Sequence, residues 1–445
     1  MKFPIRLISA CLFASFFSHA ADKATWTEIL EAPAPTSAAP GDTSTPIEWH
    51  SDLPAALEEA EKSGKPLLIT FRCLPCKQCA AFDKTVLEGT PLLNPALSQF
   101  VTVRVTDAAQ LDDRLFPYTT HQDLDLSWWA YFFSPKGELY GVFGGKDHVS
   151  DETRISEKAF LNNMNAVLAH HHNPKRRSWK IDGPVPDFSA NQTGPKDRKG
   201  HDLLHEMRPG MAEHQTCLHC HQVGDILNLE LIDAGDFKKN ELKDRWPLPE
   251  NVGIILDRDL GNVIKMIELS GPAANAGMKA GDVIGMADQT RIFGQADLRG
   301  ALHRASAGDE SILIGWTSNG EAKFASLAVK TGWKAEENWW RKSVYDGVYG
   351  PGMGFFPLKG PNFGKGKGLS VRPWMGKQPA QKEVYSTGLR PNMEIVAING
   401  MRDDKDIRKL ITWFRFNHKV GDKVTYTVRV KGGLEKDFSF TLPAK

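Results

Sequence analysis

The sequence of 445 residues has almost no surplus of either charge: 55 Lys and Arg stand against 54 Asp and Glu, a formal net charge of +1. A chain so balanced builds no broad basic field, which excludes nucleic acid as the expected partner and gives an anionic membrane surface nothing to hold. Cysteine is scarce as well, with six residues in all, and they are bunched rather than spread as staples through a small secreted scaffold. Beyond the first twenty residues, no stretch approaches the roughly 20 continuous apolar residues that a spanning helix needs. What is left, 41% hydrophobic and 24% charged residues, is ordinary globular composition, and the length allows roughly three domains of about 100–200 residues.

The chain opens with Lys2 and Arg6, runs through an apolar stretch from Leu7 to Phe17 and reaches Ser18-His19-Ala20. That order matches a secretory leader, residues 1–20, cleaved after Ala20. Ile8-Ser9-Ala10-Cys11 offers a lipobox as the alternative, against which the apolar run continuing past Cys11 argues. The expected location is therefore periplasmic or otherwise extracytoplasmic, where disulfides persist and c-type haem is attached. Cys11 leaves with the leader. The remaining five thiols form two clusters, Cys73, Cys76 and Cys79, then Cys217 and Cys220, and clustering points to chemistry more than scaffolding.

Ala32 to Pro46 is rich in Ala, Pro, Ser and Thr, and residues 21–47 read as a disordered linker. From 48 to 172, helical and strand patterns alternate. An amphipathic helix from Leu53 to Lys62 closes at Ser63-Gly64, and the apolar run Leu67 to Phe71 suits a buried strand. A helix follows Cys73, a strand covers Phe100 to Val105, a hairpin turns at Ser134-Pro135-Lys136-Gly137, and a last helix runs from about Glu157 to His171. Such alternation predicts an α/β domain. Residues 173–249 are polar and weakly periodic, an irregular linker carrying the Cys-x-x-Cys-His segment.

An internal repeat occupies the rest. Val252-Gly253-Ile254-Ile255, Asn262 to Ile267 and Ala276-Gly277-Met278-Lys279-Ala280-Gly281-Asp282 in one copy correspond to Met353-Gly354-Phe355-Phe356, Gly368 to Val371 and Gly388 to Gly400 in the other. Each copy continues through a short helix and ends in a hairpin, at Ser318-Asn319-Gly320 or Lys431-Gly432-Gly433. Two mainly-β domains follow, residues 250–331 and a divergent second one over 332–445.

Cys73-Leu74-Pro75-Cys76-Lys77 follows the apolar strand and opens a helix. Free backbone N–H groups and the positive end of the helix dipole favour a thiolate at Cys73, and Arg72 adds a cation. Cys76 is spaced to displace a mixed disulfide formed at Cys73. The stretch resembles the thioredoxin active site, which implies a thioredoxin-like fold and thiol-disulfide exchange with disulfide-bearing client proteins. Cys79, one helical turn past Cys76, stands as an alternative resolving thiol, a third metal-binding sulfur or a buried small hydrophobe. Where thioredoxins carry a cis-proline, this chain has Trp128 or Trp129, a departure that narrows substrate range or opens the three thiols to metal.

Cys217-Leu218-His219-Cys220-His221 matches the pattern for covalent haem c, with His221 as an axial nitrogen. A zinc site drawn from His201, His205, His214 and His219, or a simple disulfide, are the alternatives. The repeats resemble PDZ domains of the bacterial secreted-protease type, which implies protein or peptide partners bound through Val252, Gly253 and Ile254 at a carboxylate-binding loop. Asn392 stands where the first copy has Asp282, and an insertion from Pro361 to Gly368 interrupts the second copy's first hairpin. Leader, dithiol, Cys-x-x-Cys-His segment and repeats together resemble the bacterial thioredoxin-like, PDZ-containing (seleno)proteins. That resemblance implies the domain order; the expected function is an exported thiol-disulfide oxidoreductase whose PDZ module docks the client or a membrane-associated redox partner, with electrons passing between dithiol and haem where haem is attached. An adaptor or metal-handling protein, or a haem electron-transfer protein, are the alternative functions.

Overall fold

In the computed structural model, the described residues are 24–32, 47–72, 77–88, 91–146, 155–207, 218–306, 308, 311–335, 340–345, 347–354, 369–370, 379–390, 393–402, 407–430 and 432–443. The expected leader, Cys73, Cys76, Cys217, His214, Asn392 and the 361–368 insertion lie outside them. The chain divides into two compact units, residues 1–194 with 244–335, and 195–243 with 336–445. No helix among the described residues is long and apolar enough to cross a membrane.

The first unit holds a five-stranded sheet of β1 (Trp49–His50), β2 (Leu67–Phe71), β3 (Val101–Val105), β4 (Ser127–Phe133) and β5 (Leu139–Lys146). Their order is β1-β3-β2-β4-β5, with β3 parallel to β1 and β2 and the last two antiparallel. Every residue of Leu67–Phe71 and Ser127–Phe133 is buried. A strand covered on both faces needs a continuous rather than alternating apolar run, as Leu-Leu-Ile-Thr-Phe supplies.

Three helices cover the sheet edges and faces: α2 (Leu53–Ser63), α3 (Lys77–Phe82) and α4 (Glu157–His172). Helix α2 starts where the Asp52 carboxylate accepts the Ala55 N–H and stops at Gly64, whose φ of 70° is the left-handed cap glycine adopts without strain. Ser156 caps α4 through the Ala159 N–H. Past α3 the helix widens over Asp83–Leu87, and Phe82, Val86, Leu87, Trp128, Phe132 and Phe160 form one core.

The expected disordered linker is helical over residues 24–31, here α1. Trp26, Ile29 and Leu30 recur at helical spacing and are buried. They sit where the first repeat supplies glycine: a Cβ on Gly285 would lie 2.3 Å from Leu30 Cδ2, and one on Gly315 2.9 Å from Trp26 Cε3. Composition concealed this element, because the Ala- and Pro-rich stretch begins only after it.

The first repeat forms a four-stranded sheet, β11-β10-β8-β9, and a β6–β7 hairpin. Its strands are β6 (Ile254–Leu256), β7 (Ile264–Ile267), β8 (Val283–Ala287), β9 (Thr290–Arg291), β10 (Ser311–Ser318) and β11 (Glu321–Ala328). Helix α5 (Gln295–Arg304) follows β9. Asn319 and Gly320, at φ of 53° and 84°, make the tight β10–β11 turn that the sequence indicates. The motif before β8 is a turn device: Gly277 and Gly281 take φ of 80° and 89°, and the buried Asp282 carboxylate accepts the Lys279 N–H at 3.0 Å.

Helix α5 also joins the repeat to the α/β sheet. Oδ1 of Asp297 accepts the Val142 N–H from β5 at 2.8 Å, and Oδ2 accepts the N–H groups of Phe293 and Gly294 at 3.0 and 3.2 Å. Gly141 permits this approach, since a Cβ there would stand 2.9 Å from Asp297 Oδ1. Two residues on, Arg299 Nη2 donates to Asp123 Oδ2 at 2.7 Å, both side chains being buried. Phe293 belongs to the α/β domain's own core.

In the second unit, residues expected to be irregular are helical over Lys199–Met207 and Cys220–Ala234. Gly200 lets them close: a Cβ there would be 2.1 Å from the Ile226 carbonyl oxygen. Arg198 and Lys199 pair with Glu230 and Asp233. The second repeat follows as a β12-β13-β14-β15 sheet over Leu369–Ser370, Glu394–Ile398, Lys423–Arg429 and Glu435–Thr441, with helix α6 (Ile407–Asn417). Val424, Tyr426, Val428 and Phe414 centre its core.

Burial pushes the Asp297 carboxyl up to about 7, outweighing the three amides that favour its charged form. Because the folded value stands above the unfolded one, near 3.8, this group's stabilisation is complete at acid pH and lost as pH rises through about 7. Denaturant midpoints measured from pH 4 to 8 should therefore fall more steeply in the native chain than in Asp297→Asn, which cannot ionise; parallel curves would refute this.

Candidate functional site

Strand β2 ends at Phe71, and α3 begins at Lys77. Cys73 and Cys76, outside the described residues, thus lie in the connection from a buried central strand to a helix, where the sequence motif requires them. Of Cys79 only its place in α3 is described.

Arg72, the last described residue before that connection, is tied to a group that the sequence pattern did not single out. Asp83 is 2% exposed, and its Oδ1 accepts the indole N–H of Trp128 at 2.7 Å. Its Oδ2 stands 2.8 Å from Nε of Arg72, the residue before Cys73, and 3.9 Å from Nε of Arg104. Arg104 also binds Glu88 at 2.9 Å and covers the Trp49 ring. Burial raises the Asp83 carboxyl, and the Trp128 hydrogen bond and the two guanidinium groups oppose it. The signal available was one acid within Ala80-Ala81-Phe82-Asp83-Lys84-Thr85-Val86-Leu87, ten residues after Cys73.

Trp128 is one of the two residues, with Trp129, expected where thioredoxins carry a cis-proline. It is fully buried with φ of 60°, a left-handed conformation costly for a bulky side chain and held here by its surroundings. Phe82 lies 4.3 Å from it between ring centroids, and Phe160 meets it edge-on. Gly144 of β5 leaves room for its carbonyl, since a Cβ would stand 2.3 Å from that oxygen. The Trp128 indole is thus braced by the same carboxylate that holds the residue before Cys73.

In the first repeat, Val252 and Ile254 are buried and Gly253 has φ of 80°. The Gly253 N–H is already donated to the Glu250 carbonyl at 3.0 Å, and its carbonyl accepts the Glu268 N–H. A Cβ on Gly253 would be 3.1 Å from the Gly271 Cα. Gly253 thus shapes the loop, its own amide being spent. Strand β6 pairs only with β7 among the described residues, so its other edge offers main-chain groups for an added strand.

A thioredoxin-like family model matches residues 48–131, and a PDZ domain model matches residues 237–314. The chain joins a thioredoxin-like domain to a PDZ domain. No curated protein matches it. The expected multi-domain class, α/β followed by β-rich sheets, holds, and the PDZ domain supports protein or peptide partners.

The second thiol cluster is further from its expected role. Cys220 is buried at the first position of its helix. The His221 ring stacks on His219 at 5.4 Å, and its Nε2 lies 3.1 Å from the Lys342 ammonium. An axial imidazole needs that nitrogen open to iron, so the described residues as they stand do not fit a haem c ligated by His221. Nε2 of His201 and His205 approach to 3.1 Å, but among the described residues no group of three or more His, Cys, Asp and Glu is arranged to hold a metal. The terminal histidines of α4 are structural: His170 Nε2 binds Asp182 at 2.7 Å, and His171 binds Tyr140 and the Gly64 carbonyl.

Asp83→Asn keeps the acceptor for Trp128 but leaves Arg72 without its buried counter-charge. The expected loss is about 3 kcal/mol of unfolding free energy. Removing an anion beside the dithiol should also lower the Cys73 thiol pKa, read from the pH dependence of alkylation. An unchanged midpoint together with an unchanged thiol pKa would show that Asp83 has no such role.

Proposed function

We propose that the protein is an exported thiol-disulfide oxidoreductase in which Cys73 attacks, Cys76 resolves and the PDZ domain docks the client. The observation that carries this is the Cys-x-x-Cys connection between β2 and α3 of a thioredoxin-like domain, with Arg72 before it and Trp128 both held by buried Asp83.

The chemistry is two displacements. The Cys73 thiolate attacks one sulfur of a client disulfide; that bond breaks, a mixed disulfide forms at Cys73, and one client thiolate leaves and takes a proton from solvent. The Cys76 thiolate then attacks Cys73 Sγ, closing the Cys73–Cys76 disulfide and expelling the second client thiolate. The client gains two electrons and the dithiol loses two. A dithiol electron donor, read here as a membrane-associated redox partner, reverses the change in the protein; with an oxidising partner the same steps run backwards and install disulfides.

Arg72, tethered 2.8 Å from Asp83, supplies a cation next to the attacking thiolate. The open edge of β6 suits an extended client segment, and docking there raises the effective concentration of client disulfide near the dithiol.

Turnover of a protein disulfide substrate by the mature chain should be abolished by Cys73→Ser, whereas Cys76→Ser should accumulate a mixed disulfide visible by mass. Turnover undiminished in Cys73→Ser, with stoichiometric metal in the purified protein, would favour a metal-handling adaptor instead.

A further inference from the structure

Between the α/β sheet, the 181–186 segment and the first repeat lies a cavity of about 320 Å³. Its polar walls carry Arg291 and Arg304 from the repeat and His121, Tyr140 and Asp182 from the rest of the first unit. None of these groups takes part in the thiol chemistry.

The charges on these walls are unequally satisfied. Asp182 is bound by His170 and Arg176, Asp113 by the Tyr118 and Thr193 hydroxyls, and Asp297 by three backbone amides. Arg114 is held bidentately by Asp112. The other two guanidinium groups rest on neutral acceptors. Arg291 donates from Nη1 to the Gly285 carbonyl at 3.1 Å and lies over the Phe293 ring, while its Nε is sealed from solvent with no partner. Arg304 donates to the Thr120 carbonyl at 2.9 Å and to Thr290 Oγ1 at 2.7 Å.

Taking a guanidinium out of water without a carboxylate costs free energy, which burial expresses by pushing Arg291 down to about 10. The group nevertheless stays cationic at neutral pH. His121, pushed down to about 3 by burial and by the nearby Arg304, is neutral there and leaves a ring nitrogen for a hydrogen bond. Two cations with no carboxylate at ion-pair distance among the described residues, Asp297 and Asp288 acting on them only from further off, with a neutral imidazole and a phenol beside them, describe a receptor for negative charge.

We propose that this cavity binds a small oxyanion, a carboxylate or phosphate group carried by a low-molecular-weight ligand, clamped between Arg291 and Arg304. The volume lies at the lower end of small-molecule sites and admits a metabolite-sized ligand rather than a folded partner. Because the walls come from both domains of the first unit, such a ligand also stabilises their junction.

Calorimetric titration of the full chain with inorganic phosphate, and separately with succinate, tests this at constant ionic strength against a sodium chloride control. Saturable binding of either anion is expected, weakened about tenfold by Arg291→Gln and by Arg304→Gln through loss of one charged hydrogen-bonding partner. Preference between the two anions tells which oxyanion the site takes. Should Arg291→Gln fail to fold, Arg304→Gln, whose side chain reaches solvent, carries the test. No saturable heat with either anion, or equal affinity in the native chain and Arg304→Gln, overturns the proposal.

Discussion

A single carboxylate makes two folds into one unit. Asp297 stands on a helix of the PDZ domain, yet one of its oxygens is bound to the backbone of a thioredoxin-like strand at Val142. Its other oxygen closes the start of its own helix through Phe293 and Gly294. The α/β strand must give up a side chain for this to happen, as Gly141 shows, since any Cβ there would strike Asp297 and Phe293. The buried Arg299–Asp123 pair, two residues along the helix, repeats the contact with opposite polarity. A linker-tethered PDZ domain raises client concentration only in proportion to the volume its tether sweeps. Joined through buried charge, this one carries its β6 edge on the same compact unit as the thioredoxin-like domain.

The same constraint explains the cavity. The joint mixes polar contacts with apolar ones, Phe293 reaching the α/β core and Trp26 and Leu30 clustering with Met286, and the charged residues lining the space beside them stay partly desolvated. Arg291 and Arg304 are the residue of that geometry: they flank Asp297 in sequence and space but are not paired with it. Apolar filling would have sealed the joint more cheaply.

Much of this was legible in the sequence. The strand from Leu67 to Phe71, the helix from Glu157, the Asn319-Gly320 turn and the Gly277 to Asp282 device fall where periodicity and turn chemistry put them, because each is determined by neighbours within a few residues. Residues 24–31 pass locally for tether, since the apolar trio of Trp26, Ile29 and Leu30 gains its meaning only from Gly285 and Gly315 in the first repeat. The segment holding Cys220 is polar and weakly periodic, and its helices are secured by the approach of Gly200 to Ile226, which local pattern does not announce. Long-range pairing, absent from local pattern, decided both.

The Asp83 cluster carries the deepest consequence for chemistry. A cis-proline does two things beside a dithiol: it fixes a loop and it offers backbone to the substrate. Here the first task passes to an indole whose N–H is tied to a buried acid, and the cost of a left-handed Trp128 is met by packing from Phe82, Phe160 and Gly144. The second task has no counterpart in this side chain, because Trp128 is fully buried. Of the described elements, the unpaired edge of β6 on the PDZ domain is the one whose main-chain groups suit an extended protein segment.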